Sequence, residues 1–329
     1  MSELRWHPLL QEWVITATHR QERTFHPPPE YCPLCPTQPD GYPTEVPEPT
    51  YEIVVFENRF PSLLREPPPP AVASTPFSPV LPSHGVCEVV LYTPDHHATL
   101  TDLPLERIEQ LIAVWGDRYA ELGMRPEVQY VFIFENKGRE IGVTLSHPHG
   151  QIYAYPFIPP KIERELDAMR RHYESTGGNL LQGILQYELE DGRRIVAQMD
   201  GWVAFVPFFA RYPYEVYLMP EAARRDLLDL TDAEIAGLAR ILKDILQRYD
   251  ALWGFALPYI MAQHPRPTDG AEHPYWQFHI EFYPPYRTRD KLKYLAGSES
   301  GAGVFINDTL PEATARALRE VQPPSTISK

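Results

Sequence analysis

No stretch of the 329 residues approaches the run of about 20 apolar side chains that a membrane span requires, and the opening Met1-Ser-Glu-Leu-Arg-Trp does not read as a signal peptide. Cysteine is scarce. There are three, two of them in Cys32-Pro-Leu-Cys35, which is no disulfide framework for a chain this long. A reducing cytoplasm is the natural compartment. Positive charge is also short: 30 Lys and Arg against 44 Asp and Glu leave −14 at pH 7. That balance argues against non-specific binding to nucleic acid or to an anionic membrane. A small phosphorylated ligand stays open, because it needs only a local positive patch. Proline is abundant at 37 residues, so long ordered loops and short elements are expected. At this length the chain holds two domains or one large one.

The most informative stretch is Ser146-His147-Pro148-His149-Gly150-Gln151, followed by the strand-like run Ile152-Tyr153-Ala154-Tyr155-Pro156. Imidazole can act as nucleophile, general base or metal ligand at neutral pH. Pro148 fixes its own φ and biases His147 to an extended conformation, which holds the two rings. Gly150, without a Cβ, allows a phosphate or another backbone to approach. If the chain is already extended here, His149 and Gln151 point to one face. An amide donor beside an imidazole nucleophile suits attack on phosphorus, whose oxygens need hydrogen bonds. The plainer reading is a turn that contains two core histidines. Elsewhere, Cys32-x-x-Cys35 lies in a proline-rich loop, where such a pair is more often half of a zinc site than a redox couple. Arg20 and Arg23 could grip phosphate or simply face solvent.

Taken in order, residues 4–25 read as a short strand after a turn and residues 51–58 as a second strand ending at Asn58. Residues 66–85 read as a proline-rich loop. A strand over 86–92 leads to Thr93-Pro-Asp-His96-His97. A helix is expected over 104–122, with Ile108, Leu111, Ile112, Trp115, Tyr119 and Leu122 on one face. A strand over 128–134 runs into Glu135-Asn136, and the opening stretch is expected to close this unit as a fourth strand. The same order then recurs. Strands at 202–206 and 215–219 precede a helix opened by the capping box Thr231-Asp-Ala-Glu234, and strands at 259–261 and 277–284 follow. Residues 147–156 lie over 275–284, with His149 matched by Gln277. One α+β unit is therefore duplicated, and the chemistry belongs to the first copy. The expected division is 1–175 for the half with the nucleophile and 190–329 for a catalytically degenerate half.

Together, Cys32-x-x-Cys35, Thr93-Pro-Asp-His96, Phe134-Glu-Asn136-Lys-Gly138, His147-Pro-His149-Gly-Gln151 and Trp276-Gln-Phe-His279 resemble the galactose-1-phosphate uridylyltransferase family of the histidine-triad superfamily. The resemblance runs from about Arg5 to beyond Lys293. It implies a duplicated histidine-triad-like fold, an antiparallel sheet with helices packed on it, a homodimer, and ping-pong exchange of UMP between UDP-glucose and galactose 1-phosphate.

On that resemblance His149 is the nucleophile and Gln151 hydrogen-bonds the transferred phosphoryl group. Asn58, Phe134 and Asn136 match positions lining the nucleotide pocket, and Arg20 and Arg23 match phosphate-side positions. Cys32, Cys35, His96 and His147 match the ligands of a structural zinc, with His97 next to His96 as the competing imidazole. Glu165, His264, His279 and Glu281 match a second metal site, for iron or zinc, found in some members; the best-known members have histidine at position 281. Lys293 and Glu299 belong to a segment that reaches the sugar phosphate in the partner subunit, with Ser298 where tyrosine is usual. The glycine-rich wording there resembles plant-type relatives that act as ADP-glucose phosphorylases, which would use the same histidine. A histidine-triad hydrolase, passing the nucleotide to water, would also use it. A zinc-stabilised nucleotide-binding protein would keep the pocket without the catalysis.

Overall fold

The computed structural model describes residues 2–23 and 26–321. Its first strands, β1 (Ser2–His7) and β2 (Glu12–Ala17), form an antiparallel hairpin. After β3 (Val54–Glu57), the short β4 (Val80–Pro82) returns to pair with β1, completing a separate three-stranded sheet. The opening stretch thus holds two strands and does not close the first unit, contrary to the sequence expectation. Its residues 24 and 25 lie outside the described ones. The reason is where its apolar side chains go. Leu4, Trp13 and Ile15 pack with Cys87, Phe134 and Tyr153 of the main sheet, so the hairpin lies against that sheet and leaves the edge to β3.

The first unit continues with β5 (Val86–Leu91), α1 (Leu105–Gly123), β6 (Tyr130–Lys137) and β7 (Gly150–Tyr155). The expected stripe on α1 is buried from Ile108 to Leu122. Two helices that the sequence pattern did not announce follow, α2 (Pro160–Thr176) and α3 (Leu180–Asp191). Strands β8 (Ile195–Met199), β9 (Trp202–Phe205) and β10 (Val216–Pro220) lead to α4 (Asp232–Trp253). Its capping box is formed: Glu234 N–H donates to Thr231 Oγ1, and Thr231 N–H donates to Glu234 Oε2 at 2.8 Å. Then come β11 (Tyr259–His264), β12 (His279–Tyr283), β13 (Tyr286–Thr288), β14 (Lys291–Leu292) and α5 (Pro311–Glu320). Among the described residues no helix is long and apolar enough to cross a membrane.

Nine strands join in one antiparallel sheet, ordered β3-β5-β7-β6-β11-β12-β10-β9-β8. The order β5-β7-β6 on one side is mirrored by β10-β12-β11 on the other, and β6 pairs with β11 at the seam. Each half threads strand, helix, strand, strand, so the duplication read from the sequence is a duplication in space. Register makes it residue-specific. Tyr130 faces Tyr155 in the first half as Ile260 faces Tyr283 in the second, which sets Gln151 against His279 and His149 against Gln277.

Alternation assigns the two faces of the sheet. Val131, Ile133, Ile152, Ala154, Met261, Ile280 and Phe282 point to one face and pack with the buried stripes of α1 and α4. The second face carries Tyr130, Tyr217 and Met219 against Ile162, Leu166 and Met169 of α2 and Leu181 and Leu185 of α3. Phe134, Gln151, Tyr153, His279 and Glu281 share this second face, where the chemistry-bearing side chains lie.

Candidate functional site

A cleft of ≈ 990 Å³, counted out to its solvent mouth, opens over β5, β6 and β7. His149 lines it just before the first residue of β7. The His147 carbonyl can only accept, so His149 Nδ1 donates to it at 2.8 Å. That bond fixes the tautomer and leaves the lone pair on Nε2. Burial lowers the pKa of this imidazole, although the bond to the carbonyl works the other way. A neutral ring with an oriented lone pair is the form that attacks phosphorus.

Gln151 lines the same cleft, on the face that alternation assigned to it. Its Oε1 accepts from Tyr153 Oη at 3.3 Å, which turns the amide NH2 away from the tyrosine. Tyr153 Oη in turn accepts from Arg20 Nη1 at 3.5 Å, and the same nitrogen donates to the Phe60 carbonyl at 2.9 Å. A chain Arg20–Tyr153–Gln151 therefore holds a cation, a hydroxyl and an amide in line beside His149. Sequence reasoning missed Tyr153, yet it sits two residues past Gln151 on the same strand face, and that period was the available signal. Gly150 needs no special space: an added Cβ would meet only ordinary contacts, Phe134 O at 3.6 Å being nearest. The sequence argument for close backbone approach there does not hold.

The rest of the cleft suits a nucleotide. Phe134 stacks on Phe132 at 4.9 Å and meets Tyr153 edge-on at 5.1 Å. Asn58 and Asn136 line the wall, with Asn58 Oδ1 accepting from the Phe60 N–H at 2.9 Å. Arg23 is exposed at the mouth and donates through Nε to the Arg20 carbonyl. Glu45 and Arg59 form an ion pair at 3.2 Å on the rim, with no motif in the sequence to mark it. Lys293 and Glu299 do not line the cleft of their own chain. Lys293 Nζ donates to Glu299 Oε1 at 2.9 Å with both side chains nearly covered, and the ammonium holds the Glu299 carboxyl down at about 2.

Beside the cleft, one ligand atom from each of Cys32, Cys35, His96 and His147 lies within 4.8 Å of the others. Cys35 Sγ is 3.3 Å from His96 Nδ1 and 3.5 Å from His147 Nδ1. Tetrahedral zinc with its usual bond lengths separates neighbouring S and N ligands by roughly 3.4–3.8 Å, so the spacing fits. The far nitrogens are held: His147 Nε2 donates to the Thr93 carbonyl at 3.0 Å, and His96 Nε2 meets Ser146 Oγ at 3.2 Å. Both Nδ1 atoms are thus offered to the cluster. Burial pushes the Cys35 thiol up to about 12 and the His147 imidazole down to about 4. Bound metal reverses the thiol's preference. His97 packs on His96, ring centres 4.9 Å apart, and is not one of the four.

On the second half's equivalent face, Glu165, His264, His279 and Glu281 also converge within 4.8 Å. His264 Nδ1 meets Glu165 Oε2 at 2.8 Å, and both His264 Nε2 and His279 Nε2 lie 3.4 Å from Glu281. His279 Nδ1 donates to the Gln277 carbonyl at 3.0 Å. Two side chains outside the expected set intrude. Lys161 Nζ donates to Glu281 Oε2 and sits 3.5 Å from Glu165 Oε1, and Arg211 Nη2 lies 3.7 Å from Glu281. Burial raises the Glu281 carboxyl, but His264, Lys161 and His279 outweigh it and the net shift is well below the ordinary value. The donors are metal-like, but two cationic side chains already face the buried carboxylate.

The chain matches the profile of the galactose-1-phosphate uridyl transferase N-terminal domain over residues 1–159 and of the C-terminal domain over 165–324. It is 43% identical to the galactose-1-phosphate uridylyltransferase of Thermotoga maritima, covering 98% of this chain and 99% of that one. It is 38% identical to that of Streptomyces lividans, covering 97% and 87%. A solved uridylyltransferase superposes with a TM-score of 0.86 at 36% identity over 96% of this chain and 97% of that one. An ADP-glucose phosphorylase from Arabidopsis thaliana, 24% identical, superposes with a TM-score of 0.73 over 98% and 99%, and shares the fold.

Proposed function

The chain belongs to the galactose-1-phosphate uridylyltransferase family and is a uridylyl-transferring enzyme; from that premise we propose that His149 is its nucleophile. The observation that carries this reading is the bond from His149 Nδ1 to the His147 carbonyl, which leaves Nε2 as the nucleophilic nitrogen in the cleft that Gln151 also lines.

Nε2 attacks the α-phosphorus of UDP-glucose, a P–N bond forms as the P–O bond to glucose 1-phosphate breaks, and the nucleotide stays on the histidine. Galactose 1-phosphate then attacks the same phosphorus, restoring the imidazole and giving UDP-galactose. Glucose 1-phosphate leaves as a phosphate, so no strong general acid is required. The charge that grows on the equatorial oxygens is met by the Gln151 NH2, with Arg20 adding positive charge behind Tyr153. Phe134, Asn58 and Asn136 hold the uridine, and Arg23 receives phosphate at the mouth. One pocket serves both half-reactions, which is why the kinetics are ping-pong.

The zinc assignment rests on the Cys32, Cys35, His96 and His147 geometry. A zinc ion there would fix the loop that carries His147, and through the His147 carbonyl it would fix the tautomer of His149; a filled four-ligand shell supports structure, not chemistry. The division of labour follows: residues 1–175 carry nucleophile and zinc ligands, while in 190–329 the nucleophile's place is taken by Gln277. Exposed Tyr294, Leu295, Val304, Ile306 and Leu310, on the segment that also holds Lys293 and Glu299, support a homodimer in which this segment serves the partner's sugar phosphate. The scarcity of cysteine supports a cytoplasmic enzyme.

Exchange of labelled glucose 1-phosphate into UDP-glucose without any galactose 1-phosphate tests the double displacement. Exchange at a rate comparable to turnover is expected, and no exchange would sink the covalent route. ADP-glucose in a parallel arm, with inorganic phosphate as acceptor, asks whether the chain works as a phosphorylase instead.

A further inference from the structure

We infer that Lys161 supplies the cation of the Glu165–His264–His279–Glu281 cluster, so that the folded chain binds one metal ion, at Cys32, Cys35, His96 and His147, and not two. Helix α2 brings the lysine to the cluster. Lys161 and Glu165 are four residues apart in its first turns and therefore lie on one side of the helix. The same side delivers Glu165 to His264 at 2.8 Å. The lysine is carried in with it. Its ammonium donates to Glu281 Oε2, donates to Tyr283 Oη at 2.5 Å and lies 3.5 Å from Glu165 Oε1. It thus stands between the two carboxylates, ground that a bound ion would need.

Charge makes the same point independently of position. The cluster has two carboxylates, Glu165 and Glu281, the latter with no exposed side-chain surface. Lys161 and Arg211 both address Glu281, and Arg211 also donates to Tyr283 Oη at 3.2 Å. Two cations face these two anions, and the third carboxyl beside Arg211, Glu215, is pushed up to about 7 by burial, so little net negative charge is left to attract a dication. The ion would meet the ammonium at a few ångströms beside the wholly buried Glu281, and that repulsion opposes its entry even though the lysine side chain is itself partly exposed. A buried carboxylate that loses its partner charge is costly, which keeps the lysine in place. Lys161 therefore holds the second half's face together as a metal would hold the loop of the first.

The test counts ions on the full-length protein. Metal is stripped, excess Co(II) is added, loose ion is removed, and cobalt per chain is measured with the absorption spectrum. Wild type should hold one ion, showing the intense near-ultraviolet thiolate band of the cysteine site. Lys161→Met removes the charge while keeping an apolar stem of similar length. It should take a second ion without further thiolate absorption, with affinity for that ion raised on the order of 100-fold or more. Two ions per chain in wild type would overturn the inference. So would a folded K161M protein that still holds only one. The wild-type count stands even if the variant fails to fold, and neither count depends on whether His149 is the nucleophile.

Discussion

Glu135 should make stability fall as the pH rises from mildly acidic to neutral, and Glu135→Gln should remove its share of that fall. The residue lies on β6 between Phe134 and Asn136, with its carboxyl turned away from the cleft and buried. Oε1 accepts from Tyr92 at 3.1 Å and from Tyr259 at 3.0 Å, while Oε2 has no hydrogen-bond partner among the described residues. Burial drives this carboxyl from 4.5 up to about 7, and the two tyrosines and Lys137 only partly offset it. The folded state therefore binds the proton more tightly than the unfolded chain does. The stabilising contribution is complete below the unfolded value and disappears as the pH rises through about 7. A carboxyl moved from 4.5 to about 7 carries about 3 kcal/mol of such dependence, an upper figure. For a chain of this size that corresponds to roughly 4–5 °C in Tm. Thermal unfolding followed from pH 4.5 to 8.5 provides the assay. E135Q should match wild type near pH 5 and exceed it at pH 8. Its slope will not vanish, because burial also takes Glu215 to about 7. Parallel profiles for the two proteins would refute the reasoning.

Further outcomes follow from the same geometry. Gln151→Ala removes the amide donor but no stacking surface, so kcat should fall by about 100-fold with KM for UDP-glucose nearly unchanged in steady-state assays. Chelation of metal, or Cys35→Ser, should lower Tm by roughly 10 °C by calorimetry and abolish activity together with it, since the same loop carries His147 and His149. Gly85 has φ +142° and no room for a side chain, because a Cβ would meet the Ala154 carbonyl at 2.3 Å. Gly85→Ala should therefore cost at least about 2 kcal/mol in chemical denaturation.

Much of this was legible in the sequence wherever a period met a buried face. The stripe on α1 follows from side chains that must face a core, the capping box of α4 from the Thr-x-x-Glu pattern at its exposed first turn, and the shared face of His149 and Gln151 from strand alternation. The repeat was legible for the same reason, since both copies pack equivalent positions under paired helices. The place of the hairpin β1–β2 was not legible, because a half-buried strand reads alike whether it extends a sheet or lies on it; contacts from Leu4 and Trp13 decide, and they are remote in sequence. Helix α2 escaped notice because only Ile162, Leu166 and Met169 face inward from a run rich in charge. Lys161 is the sharpest case. In sequence, Glu165 reads as a metal ligand and Lys161 passes without notice, and only the arrival of β12 shows that Glu281 is the lysine's nearer partner.

On the proposed mechanism His149 carries the nucleotide between substrates. The most direct measurement mixes the protein with UDP-glucose, omits any acceptor and follows intact mass. An increase of one uridylyl group is expected, mapped by peptide analysis to the segment containing His149 and absent in His149→Ala, which should still bind nucleotide. No covalent adduct on the folded, metal-loaded enzyme, or an adduct on another residue, would contradict it.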